Sequence, residues 1–344
     1  MIPPPLPPDP QQLTAAASPP TVRRSGRDRI VVVGRRRAGK TVFLARLYEA
    51  LWRGCTLVDG EVVGEGEPTA GRRVVEMSCR ATSGAAHRHF MAIIEELQAG
   101  RWPAATLGNS YAELIVSHGG RERILTALDY PGEVFRKAFL EDSSDADARE
   151  LLAAIDSAAA VIFLIDPSVV AAGNAESHED AFGLTQAAAR IRGAADGKDV
   201  PIAVVLTKAD INKALLREAG GVREFARTHF GQMFRSLERT SVFASAAVRS
   251  APNPLGATIP RADRPAENVV EPLRYCLELI DVLADQSRIA EAKRLHREAS
   301  IAVERQEQSQ RQIATKSWTI FVVAMVLLFA VVGIATWFAV SQES

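Results

Sequence analysis

Residues 34–41, Gly34-Arg35-Arg36-Arg37-Ala38-Gly39-Lys40-Thr41, follow the β-branched run Ile30 to Val33 and precede a helical pattern with Phe43, Leu44, Leu47 and Leu51 on one side. A GxxxxGKT stretch between a strand and a helix is suited to polyphosphate. The glycines let the amides of Gly34, Arg37, Ala38 and Gly39 curl round the phosphates, and the helix N-terminus adds its positive end. Lys40 reaches the β and γ oxygens, and the Thr41 hydroxyl ligates Mg2+. Three later clusters carry matching chemistry: Asp129-Tyr130-Pro131-Gly132, Thr207-Lys208-Ala209-Asp210 and Ser245-Ala246. Asp129 would hold the magnesium through water, and the Cβ-free Gly132 would bring its amide to a terminal phosphate.

Each cluster ends an apolar run, so the elements that must position them can be read next. Tyr111–Val116 and Glu122–Leu128 read as a hairpin turning at Gly119-Gly120. Ala160–Ile165, Ile202–Leu206 and Val242–Ala244 read as further strands, the first without an obvious chemical group. Strands alternating with helical patterns predict an α/β fold: a mainly parallel sheet with one antiparallel edge hairpin and helices on both faces.

In this order the boxes resemble those of the Ras-like, translation-factor-related P-loop GTPases, whose guanine-reading box is [N/T]KxD. The resemblance implies GTP/GDP and Mg2+. Thr207, Lys208 and Asp210 would read the base: the Asp210 carboxylate accepts from guanine N1 and the exocyclic amine, and the Lys208 stem lies over the ring. Ser245 and Ala246 would supply a backbone amide to the guanine oxygen. A threonine ahead of the hairpin completes the magnesium shell in such proteins. Thr106 has the right separation, Thr69 and Thr82 being the more distant rivals. The metal set is then Thr41, Thr106 and Asp129, and the catalytic set Lys40, Gly132 and Glu133. Glu133 stands where many relatives have a water-orienting glutamine, placing an anion near the γ-phosphate. Arg35, Arg36 and Arg37 occupy a loop where small residues are usual. They point to solvent, hinder hydrolysis, or stabilise transition-state charge as an arginine finger does. Slow GTP hydrolysis to GDP and phosphate is the expected reaction.

Residues 53–101 exceed what a minimal domain of this kind uses and include a predicted helix, Ala85 to Gln98, with Phe90, Ile93, Ile94 and Leu97 in register. With GRWPAAT and DYPGE this segment resembles the bacterial double-GTPases. His87 and His89, at i,i+2, lie on different helix faces and predict no metal site; Glu141, Asp142, Asp145 and Asp147 read as solvated loop charge.

The predicted organisation is a Pro-rich disordered arm 1–28, a P-loop GTPase domain 29–286, a helical stalk 287–316, a transmembrane helix 317–340 and a short tail 341–344. Eight prolines in the first twenty residues prevent the arm from packing. Ser317 to Gln342 contains no charged residue. Twenty-four residues at ~1.5 Å each cover ~36 Å, against roughly 30 Å of hydrocarbon. Arg305, Arg311 and Lys316 before the span, and none after, keep the domain in the cytoplasm. Gly333 with Ala335 and Ala339 would let two such helices pack as a dimer.

Forty-one basic residues against 41 acidic ones exclude a simple polycation, and nucleic acid is not an expected partner. Three scattered cysteines exclude a disulfide scaffold. Of the basic residues 7 are Lys and 34 Arg, a skew that suggests a GC-rich bacterial source and hence a bacterial inner membrane. The expected function is a membrane-tethered GTP switch acting on a cytosolic effector or answering an activating protein. The rivals are a nucleotide-binding scaffold with negligible turnover and an ATP-driven enzyme sharing only the phosphate loop.

Overall fold

The computed structural model describes residues 29–35, 37–58, 61–63, 74–104, 110–129, 132–141, 144–193, 200–236, 239–252, 258–261 and 264–342. The Pro-rich arm lies outside the described residues. By internal contacts the chain divides into Met1–Asp281 and Val282–Ser344.

The first unit begins with β1 (Arg29–Gly34) and α1 (Lys40–Trp52). The segment between α1 and the predicted hairpin forms β2 (Cys55–Val58), β3 (Glu61–Val63), β4 (Val74–Ala81) and α2 (Gly84–Gln98). The hairpin is β5 (Ser110–His118) and β6 (Arg121–Asp129); Gly119 and Gly120 both have positive φ, as a two-residue hairpin turn needs. There follow α3 (Gly132–Phe139), α4 (Ala146–Asp156), β7 (Ala158–Ile165), α5 (Pro167–Ala171) and α6 (Ala175–Gly193). The unit continues with β8 (Ile202–Leu206), α7 (Lys213–Glu218), α8 (Val222–Ser236), β9 (Thr240–Ala244), β10 (Arg249–Pro252) and β11 (Thr258–Arg261). The last helix, α9 (Glu271–Gln342), starts here and continues into the second unit.

One nine-stranded sheet has the order β3-β2-β4-β5-β6-β1-β7-β8-β9. Pairs from β6 through β9 are parallel, and those from β3 through β6 antiparallel. This corrects the expectation of a mainly parallel sheet with one antiparallel hairpin. The sheet is half antiparallel, because residues 53–81 add three strands to the free edge of β5 rather than loops. Edge pairing satisfies a row of backbone donors and acceptors that β5 would otherwise expose.

Strands buried on both faces need apolar side chains on both. In β1, Ile30 and Val32 enter a core formed with α1, α2 and the first turns of α9, where Leu273, Cys276 and Leu277 are buried. Val31 and Val33 enter the opposite core, with Phe135 from α3, Leu151 from α4, Ala187 from α6 and Phe225 from α8. The predicted Phe90, Ile93, Ile94 and Leu97 are the buried face of α2, whose N-terminus is capped by the Ser83 hydroxyl accepting from Ala86 N.

In the second unit α9 is helical through the predicted stalk, and residues 285–300 are exposed. Among the described residues no helix is long and apolar enough to cross a membrane. Most side chains of 317–340 lie outside the described residues, so the expected span does too.

Candidate nucleotide site

The chemistry-bearing clusters sit at the ends of adjacent strands. Val32 pairs with Ala127, so Gly34 and Asp129, two residues on, leave β1 and β6 at one level. Gly34 pairs with Leu164, Ile165 with Leu206, and Leu206 with Ala244, which brings Asp166, Thr207 and Ser245 to the same edge. Ligands of open α/β sheets bind there, beyond the carboxyl ends of parallel strands.

Gly34 has to be glycine: a Cβ would stand 2.7 Å from the Leu164 carbonyl oxygen. Further along the loop, Arg37 (φ 66°) and Gly39 (φ 81°) are left-handed, so the chain curls and turns successive N–H groups inward. Gly39 is the N-cap of α1, with no side-chain cap and no acidic residue in the first turn to oppose the positive end of the helix. Lys40 is buried and folds across the loop, its Nζ donating to the carbonyls of Gly34 (2.8 Å) and Arg35 (3.2 Å). Arg36 lies outside the described residues.

Beside this loop is a cavity of about 280 Å3. Gly39, Val42 and Phe43 of α1 form one side, Thr207, Lys208 and Asp210 another, and Ser245, Ala247 and Val248 a third. Lys208 is left-handed (φ 54°). It is held there because its carbonyl accepts from Asn212 N and Nδ2, both at 3.1 Å, while its Nζ donates to Asp166 Oδ2 at 2.6 Å. Asp166 is buried, and its Oδ1 also accepts from the Ser168 amide (3.0 Å) and hydroxyl (2.7 Å). The Thr207 hydroxyl donates to the Ile165 carbonyl, binding β8 to β7.

Ser245 lines the cavity, but its hydroxyl donates to the Glu267 carbonyl at 3.0 Å. Ala246, expected to offer its amide to the base, is fully buried and gives that amide to the same carbonyl at 3.1 Å. The next residue, Ala247, takes its place in the cavity wall; its carbonyl accepts from the buried Arg46 of α1. The cause is tertiary. Residues 266–268 pair with this loop through an Ala246–Glu267 bridge.

The residues expected to bind the metal and the terminal phosphate are placed in part. Asp129 ends β6 and Gly132 opens α3, while the side chains of Asp129 and Glu133, and all of Thr106, lie outside the described residues. The rival Thr82 donates its hydroxyl to the Glu113 carbonyl of β5 at 3.1 Å. Behind Gly132, Phe135 is fully buried against Gly183 of α6, where a Cβ would meet the ring at 2.8 Å. Mg2+ is a hard cation that takes oxygen ligands. Thr41 in the first turn of α1 and Asp129 at the end of β6 leave neighbouring elements at the loop.

Other candidates are structural. His87 Nδ1 and the Tyr48 hydroxyl are 2.7 Å apart, and the imidazole stacks on Trp52. Asp145 caps α4 and pairs with Lys137, and Glu141 pairs with Arg136. Among the described residues no group of three or more His, Cys, Asp and Glu could hold a metal. Away from the site, Asp281 binds Arg121 (2.7 Å) and Arg123 (2.5 Å), and the buried His118 lies 3.4 Å from it.

Sequence reasoning missed Asp166, Asn212, Trp102 and Ser250. Asp166-Pro167 carried a signal, a capping residue followed by proline at a first helical turn. The rest had no local signal.

A family model described as Double-GTPase 2 matches residues 111–259, from the hairpin through Thr207–Asp210 to β11. Residues 111–259 are thus similar to a double-GTPase domain. Among solved structures, the signal recognition particle receptor SRb-GTP/SRX complex of Chaetomium thermophilum is 15% identical, covering 65% of this chain and 93% of that one, at a TM-score of 0.31. Roco2 RocCORdC of Methanosarcina barkeri, bound to GDP, is 16% identical, covering 64% of this chain and 43% of that one, at a TM-score of 0.28. No curated protein matched in sequence.

Proposed function

We propose that this protein binds GTP with Mg2+ and hydrolyses it slowly to GDP and phosphate, as a membrane-tethered switch read by a cytosolic partner. The observation that carries the reading is the cavity between Lys208, Asp210 and α1, opening beside a phosphate loop whose leading amides lack a side-chain cap. Guanine offers two donors to one carboxylate, which adenine cannot do, and the buried Asp166 fixes the Lys208 stem at the cavity. In this reading Lys40 leaves the loop carbonyls for the β and γ oxygens, and the amides of 37–41 take the remaining phosphate charge. Bound Mg2+ would neutralise charge between those phosphates, held by Thr41 and, through water, by Asp129 with Thr106. Gly132, at the root of α3, offers its amide to the γ-phosphate, and its loss on hydrolysis releases α3.

Lys40→Ala and Asp210→Asn in the full chain test this. Both should weaken GTP binding by at least 100-fold, the second shifting preference toward xanthosine triphosphate; unaltered GTP affinity in both refutes it. Glu133 and the loop arginines Arg35, Arg36 and Arg37 favour one rival, a scaffold without turnover. Single-turnover phosphate release separates the two. The tether rests on the charge-free run Ser317–Gln342 within a helical segment. Deleting 317–340 should release the protein from alkali-washed membranes, and release of the intact chain by alkali alone would rule the tether out.

A further inference from the structure

β10 and β11 form a separate two-stranded ribbon with the register Arg249–Arg261, Ser250–Pro260, Ala251–Ile259 and Pro252–Thr258. Antiparallel positions alternate between hydrogen-bonded and non-hydrogen-bonded pairs. Pro260 and Pro252 fall on one alternation, the one needing no N–H. The partners opposite them, Ser250 and Thr258, therefore turn their backbone groups away from the ribbon, one from each edge. Both outward groups are occupied. The Ser250 amide donates to Asp210 Oδ2 at 3.0 Å, with the Ser250 hydroxyl at 3.4 Å from the same oxygen. On the other edge the Thr258 carbonyl accepts from Trp102 Nε1 at 2.8 Å. All four residues line the cavity. The ribbon's root is fixed by an Arg249–Glu267 ion pair, and Glu267 is the residue that holds Ser245 and Ala246.

We infer that the β10–β11 ribbon is the base-specificity strap of this pocket, with Ser250 as the residue that positions Asp210 and Trp102 as the wall that the strap holds in place. The inference rests on the GTP reading above and deepens it. A carboxylate on a flexible side chain accepts from N1–H and the exocyclic amine together only if its plane is fixed. Here both Ser250 donors fall on Oδ2, which pins the plane of a carboxylate that lines the cavity.

The test compares GTP with inosine triphosphate, which lacks the exocyclic amine, and with ATP, on full-length protein in detergent. Ser250→Pro removes the amide at a position where the ladder needs none; Ser250→Ala removes only the longer hydroxyl contact. The proline variant should bind GTP about tenfold or more weakly, by loss of a charge-assisted hydrogen bond. Its GTP-to-inosine-triphosphate ratio should fall toward one and its ATP binding stay unchanged, while the alanine variant stays within about threefold of the parent. Should the proline variant fail to fold by circular dichroism, Trp102→Phe, which keeps β10 intact and removes one donor, must lower the same ratio. An unchanged ratio in the folded proline variant, or in Trp102→Phe if it does not fold, overturns the inference. So does tighter GTP binding on loss of the Ser250 amide, which would make Ser250 a competitor for Asp210. A parent protein without preference for GTP over ATP refutes the GTP reading itself, before any variant is compared.

Discussion

Asp166 offers the most decisive perturbation, because two roles meet in one buried carboxylate and can be separated. Its Oδ1 caps α5 through the Ser168 amide and takes the Ser168 hydroxyl, while its Oδ2 holds Lys208. Replacing it with alanine removes a cap worth about 1 kcal/mol. The Ser168 hydroxyl and the Asn212 amide also lose an acceptor, a further ~1 kcal/mol. The Lys208 side chain is 37% exposed, so its ammonium can turn to water and the lost ion pair is discounted to about 1 kcal/mol. The sum, about 3 kcal/mol, should lower Tm by roughly 6 to 12 °C for a domain of this size. Asp166→Asn keeps an oxygen for the cap and loses only the charge, so about 1 kcal/mol. Nucleotide binding should order the variants differently. Both release the Lys208 stem, so both should raise the Kd for GTP about tenfold, or ~1.4 kcal/mol. Urea titration and fluorescent-GTP binding on the full chain measure the two effects. If Asp166→Asn binds GTP as the parent does while Asp166→Ala does not, the ion pair does not set the lysine and the argument fails.

Gly34→Ala forces a Cβ to 2.7 Å from the Leu164 carbonyl, so strands must part; a loss of about 2 kcal/mol and weaker nucleotide binding are expected in a thermal-shift titration, and neutral behaviour would contradict the packing. Arg46→Met keeps the stem but removes donors to the carbonyls of Ala247 and Arg264, and about 2 kcal/mol should disappear from the urea stability, with GTP affinity falling because Ala247 lines the cavity. Burial pushes His118 below the ordinary imidazole value despite Asp281 nearby. The unfolded chain then binds the proton first, and the urea midpoint should fall as pH drops below ~6.5. His118→Gln should abolish that slope, and a slope that persists would assign it elsewhere. Burial would raise the Asp281 carboxyl, but Arg123 and Arg121 outweigh it and hold it below its usual value. That contribution is present above the unfolded value, ~3.8, and is lost as pH falls through the lower folded value, a second drop that His118→Gln should leave in place.

The strand, loop and helix of residues 29–52 were legible in the sequence because everything they need is local: a strand, a glycine where the chain crowds Leu164, a glycine at φ 81° and a helix whose first turn is free of acid. The parallel strands were legible too, since burial on both faces demands unbroken apolar runs, and so was α2 from its helical period. The antiparallel half of the sheet was not. β2 and β3 are short, and β4 finds its place only against the free edge of β5, which no periodicity in residues 53–81 announces.

The amino-acid sequence determined on its own the strands, helices and turns that carry these clusters, because backbone conformation and strand burial are imposed over a few neighbouring residues. Tertiary structure decided what each group is held by. Asp166 reaches Lys208 across 42 positions, Arg46 reaches Ala247 across 201, and Ser250 reaches Asp210 across 40. It also decided that Ala246 spends its amide on Glu267 and that Ala247 stands in the cavity wall instead. Such contacts join segments whose separation along the chain leaves no periodic trace, and the positions that hold the Asp210 carboxylate and Lys208 in place appear only when the sheet brings its strand ends together.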